Sequence, residues 1–259
     1  MELRTIVVLI ALYAVISLTA PRILANPRLV STRPQLVLMV WFLSRSIAAL
    51  SLLTALIALI VRALAQYVTD DNSARIIGPI LENVFGWIAV AALGIVVFRC
   101  GAAVSELRSQ NRQLAEQFAS VSTLGERTEL DGHHVLLFPS SQPLLMAVPS
   151  AQIIMMSSDL AQNLSPELRV AALAHEQAHI DQRHDLLRSA GVLAMAIAPG
   201  FSASSRMAQA TRITTELLAD DAAARQTSPA IVAHALVAAF GDSPLIAERV
   251  QRLSARSTS

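Results

Sequence analysis

Three long apolar runs open the chain, and polar positions become frequent only after them. Ile6 to Ala20 is closed by Pro21, Leu36 to Val61 follows, and Ile76 to Phe98 ends at Arg99. A membrane-crossing helix takes about 20 residues, so the second and third runs are long enough to span. The first has a feebly charged start, and proline after Ala20 spoils a cleavage site there. It reads as a signal anchor or first transmembrane helix. A three-helix transmembrane region is therefore expected over residues 1–101. Two charges lie inside these runs, Arg45 and Glu82. Counted from opposite ends, their depths are similar enough for a structural pair.

The pattern then changes period. Val104, Leu107, Asn111, Leu114, Phe118 and Val121 alternate three- and four-residue steps. That predicts a juxtamembrane amphipathic helix over 103–121, packed on its own domain or paired with a second copy of the chain. Two short runs, 134–138 and 151–156, are bracketed by Gly132, Pro139, Pro143 and Pro149 and read as strands. One of them could offer an edge to an extended peptide. His133 and His134 read as ordinary strand residues. A fourth apolar run, 190–201, is too short to span and is broken by Pro199 and Gly200. Pro229 to Phe240 reads as a core helix with His234 packed inside it. The fold expected is mainly α with a small antiparallel β-sheet, the second domain occupying 102–259.

Charge orients the runs. The first loop carries Arg22, Arg28 and Arg33 without an acid, and the second carries Asp70 and Asp71 against Arg75. The positive-inside rule then places the N-terminus outside and everything after Arg99 in the cytoplasm of a multi-pass plasma- or inner-membrane protein. Composition agrees, with 54% hydrophobic and 15% charged residues and a mean hydropathy of +0.52. A net charge of +1 with no basic patch argues against nucleic acid as a partner. One cysteine, Cys100, excludes an internal disulfide.

The chemistry lies in His175-Glu176-Gln177-Ala178-His179. Ser165, Pro166 and Glu167 form a readable helix start upstream. On a helix, residues four apart share a face, so His175 and His179 can aim at one metal ion. Glu176 lies about 100° round the axis, beside the ion, where it can take a proton from water. One Zn²⁺ per chain is the expected cofactor. A zinc-peptidase pattern with a third His at position 185 is absent, since Asp185 stands there, and on a straight helix His184 points the opposite way. The third ligand must come from another helix. Glu216 and Asp220, again four apart, are the best candidates: Glu216 as ligand, and Asp220 as acceptor for the second nitrogen of a ligating His. A shared metal forbids the 190–201 run from crossing the bilayer.

The segment Leu173-Ala-His-Glu-Gln-Ala-His-Ile-Asp-Gln-Arg-His-Asp185, followed by Glu216-Leu-Leu-Ala-Asp220, resembles the membrane-embedded gluzincin metallopeptidases. Two branches compete: the BlaR/MecR antirepressor peptidases and the HtpX-like/CAAX prenyl protease family. Ser243-Pro-Leu-Ile-Ala-Glu-Arg249 and Leu253 resemble a closing element of the second branch, with Ser243 in place of its His. The resemblance implies a zincin-like domain and a zinc-dependent endopeptidase. Its substrate would be a cytoplasmic or membrane-associated protein, with an antirepressor-type regulatory role in the first branch. Arg249 would steady the oxyanion. The rival expectation is a non-catalytic metal-binding membrane scaffold or signalling module; Glu176 argues against it, since a structural metal site has no need of that carboxylate.

Overall fold

A computed structural model describes residues 2–24, 26–69, 77–197 and 202–257. The second-loop charges Asp70, Asp71 and Arg75, the start of the third run at Ile76, and Pro199, Gly200 and Phe201 lie outside the described residues. In chain order the elements are α1 (Leu3–Leu24), α2 (Pro27–Thr32), α3 (Pro34–Thr69), α4 (Ile77–Ser122), β1 (Glu126–Leu130), β2 (His133–Phe138), β3 (Leu145–Val148), β4 (Ile153–Ser157), α5 (Ser158–Asn163), α6 (Pro166–Asp181), α7 (His184–Ile197), α8 (Ser202–Gln226), α9 (Pro229–Phe240) and α10 (Pro244–Ser257). The third apolar run and the amphipathic stretch after it are one continuous helix, α4. No glycine-proline break separates them.

Contacts divide the chain into two compact units. The first comprises residues 1–30, 36–107 and 190–210. Among the described residues, three helical stretches are long and apolar enough to cross a membrane: Leu3–Leu24, Pro34–Ala65 and Glu82–Ser122. Many of their large apolar side chains face outward, as Met39, Trp87 and Phe98 do, each at least 70% exposed. Such a surface suits lipid, not water. Helices α3 and α4 meet closely at Gly86, where an added Cβ would lie 2.4 Å from the Ala63 Cβ. Small residues allow this approach. Beside that contact Glu82 pairs with Arg62 at 2.7 Å, not with Arg45 as expected from depth. Arg62 and Glu82 stand at similar distances from the link between the two helices, whereas Arg45 lies several turns further down α3.

The second unit comprises residues 31–35, 108–189 and 211–259. Its sheet has the order β1-β2-β4-β3. β1 and β2 form an antiparallel hairpin, and β3 is antiparallel to β4, but β2 and β4 run parallel. The sheet is therefore mixed, not antiparallel. β3 is the reason: three successive strands reverse direction twice, which returns the first and third to one direction. Asp131 and Gly132 turn the hairpin with φ of 51° and 81°, a two-residue primed turn that favours Asp-Gly.

Both sheet faces are covered. Val135, Ile154 and Met156 pack into a core with Leu173 of α6 and Leu236 of α9. Leu136, Phe138 and Met155 face the other way, against Phe118 and Val121 of α4. The amphipathic stripe thus packs on its own unit through these two residues. His133 and His134 are strand residues. His234 is exposed on α9, not packed, because the helix buries its opposite face through Ala235 and Leu236.

Candidate metal centre

Helix α6 is built to be buried. Ser165 caps it by accepting the Leu168 N–H, and Pro166 occupies its first turn. Small residues Ala171, Ala172, Ala174 and Ala178 let its neighbours approach from several sides. On one of those sides Ala178 meets Ala219 and Ala222 of α8. Ala219 is three residues past Glu216, so this contact turns Glu216 toward the two histidines.

The ligand atoms of His175, His179 and Glu216 lie within 4.8 Å of one another. The two Nε2 atoms are 3.2 Å apart. Glu216 oxygens stand 3.5 Å from His175 Nε2 and 3.7 Å from His179 Nε2. Ligands held at about 2.0–2.1 Å on a tetrahedral zinc are about 3.3–3.4 Å apart, so this donor set fits the ion. Two imidazoles and a carboxylate are also the donor types zinc takes. Glu216 is the most open of the three, its side chain 28% exposed against 2% and 10%.

Asp220 is fully buried and sits 3.1 Å from His175 Nδ1. Arg249 of α10 grips the same carboxylate with two nitrogens, at 2.6 and 2.8 Å. It also reaches Glu216 at 3.0 Å. Ser243, where the resembled element has His, accepts the Ile246 N–H and caps α10. Glu176 receives a main-chain hydrogen bond from Ala147 N–H of β3, at 2.7 Å. β3 is the sheet's edge, so this N–H is free of the ladder and available to α6.

Burial dominates the electrostatics and is then overcome in places. It pushes Glu176 up, against the opposing charge of His175. It would lower His175, but the bonds and charges of Asp220 and Glu216 win and raise it. It lowers His179, helped by the charge of His175. Glu216 and Asp220 are held below the usual carboxylate range despite burial, Glu216 first by its bond to His175 and Asp220 first by its bond to Arg249.

The six expected residues, His175, Glu176, His179, Glu216, Asp220 and Arg249, are thus brought to one place. Two neighbours were not expected. His184 Nδ1 lies 2.7 Å from His179 Nδ1, and Arg188 donates to Glu216 at 2.7 Å. The straight-helix argument failed for His184 because α6 stops at Asp181. Arg183 takes a left-handed φ of 49°, and α7 restarts with His184 folded back. No glycine or proline announces that turn.

The profile of Peptidase family M48 matches residues 108–254, more than half of the chain and all of the cluster. Comparison with curated proteins and with solved structures gives no match.

Proposed function

The chain belongs to peptidase family M48, and from that premise we propose a zinc-dependent, membrane-anchored endopeptidase with one metal ion per chain. The observation that carries the proposal is the convergence of His175, His179 and Glu216 within 4.8 Å, with Glu176 one residue along α6. A bound zinc ion would supply Lewis acidity toward a carbonyl oxygen and toward water. The chain's own residues do the rest. Glu176, raised by burial, takes a proton from the attacking water and passes it to the leaving amine. Ala147 N–H fixes its orientation. Asp220 fixes the ring of His175, and Arg249, 3.4 Å from His175 Nε2, is the cation that steadies the oxyanion.

The engagement of Arg249 favours the HtpX-like/CAAX branch over the BlaR/MecR branch, because the tail element that carries this arginine is the one resembling the former. The substrate is a protein or peptide, membrane-associated or cytoplasmic. The peptidase unit faces the cytoplasm, as the arginines of the first loop favour.

Zinc per chain, measured on detergent-purified protein, tests the reading together with cleavage of dye-labelled casein. One zinc is expected in the parent, with a marked loss in Glu216→Ala. Glu176→Gln should keep its zinc and lose roughly 10²–10⁴ in rate. A parent without zinc would overturn the reading. Zinc with equal cleavage by Glu176→Gln would remove Glu176 as the base. A zinc-loaded parent that cleaves nothing would favour the metal-stabilised scaffold.

A further inference from the structure

We infer that His184 is a positioning residue for His179, completing a hydrogen-bonded relay His179–His184–Gln182 behind the metal cluster. The inference rests on the reading of His179 as a ligand and adds the group that sets its tautomer.

His184 Nδ1 and His179 Nδ1 are 2.7 Å apart. At that separation one proton must lie between them, since two lone pairs or two N–H groups would repel. His184 Nε2 lies 3.2 Å from Gln182 Oε1, an acceptor, so the His184 proton is on Nε2. His184 Nδ1 is then the acceptor, and His179 Nδ1 is the donor. That leaves the His179 Nε2 lone pair free, on the side facing His175 and Glu216. His184 cannot itself be a ligand, because it meets the far side of the His179 ring.

The setting holds the relay in place. His184 and His179 are 1% and 8% exposed, and their rings meet edge-on at 4.7 Å. The left-handed Arg183 fixes the approach. The two ligating histidines are thereby oriented differently: His175 by the Asp220 carboxylate, His179 by an imidazole nitrogen.

The test uses the full chain in detergent with His184→Leu and His184→Asn. Asparagine places an oxygen where Nδ1 stood; leucine fills space without an acceptor. Zinc affinity is read by chelator competition, and the thermal unfolding of the metal-free variants reports folding separately. Affinity should fall roughly 10–100-fold in His184→Leu and be largely restored in His184→Asn. Equal affinity in the parent and His184→Leu would overturn the inference, as would equal losses in both variants. Nitrogen-15 NMR of the histidine-labelled, zinc-loaded parent needs no variant. It should find the proton on His179 Nδ1 and none on His184 Nδ1; the reverse assignment overturns the relay. A parent that binds no zinc would instead defeat the proposed function, a distinguishable result.

Discussion

Both Asp220 oxygens accept from Arg249, and Oδ1 also lies 3.1 Å from His175 Nδ1. Removing it leaves a mostly buried guanidinium without its main partner. Asp220→Ala should cost about 3–5 kcal/mol in the unfolding of the metal-free protein, and pairing it with Arg249→Met should recover part of that. Thermal unfolding of the single and double variants checks this; equal losses would mean the stranded guanidinium is not the source of the cost. His175 with His179 and Glu216 with Asp220 were legible because each couple is spaced by one helical turn, a relation the letters alone contain; Arg249 was legible only through the resemblance of the tail. His184, Arg188 and Ala147 were not. Their roles depend on a left-handed turn without a breaker, on a helix pairing, and on a main-chain donor, and none of these selects a particular residue type.

The hairpin β1–β2 turns on Gly132 at φ of 81°, with open space around its missing Cβ. Gly132→Ala should therefore destabilise through backbone strain alone, by about 1 kcal/mol or more. Denaturant unfolding measures this, and an unchanged midpoint would mean the turn relaxes freely. β2 and β4 were readable as apolar runs between turn residues. Their parallel pairing was not, because β3 is only four residues long and sits among prolines and serines that read as loop. A strand that short carries almost no periodic signal, yet its presence decides the direction of its neighbour. α6 announced its start through Ser165 and Pro166, and its candidate ligand pair through the histidine spacing.

Length and composition made the apolar helices readable, since crossing hydrocarbon constrains little else. Which end faces the cytoplasm rests on loop arginines, and Cys100, the single cysteine, can report it. In intact cells a membrane-impermeant maleimide should leave Cys100 unlabelled; in inside-out vesicles it should label it. Labelling only in intact cells would reverse the orientation. The bond from Ala147 N–H to Glu176 has a bearing on how such a protein can drift over generations. A side-chain donor can be lost by a single codon change. A main-chain donor survives every replacement except proline, so position 147 can vary in character while the carboxylate it steadies stays aimed. The restraint is inherited with the strand and leaves no mark in the alphabet of residues.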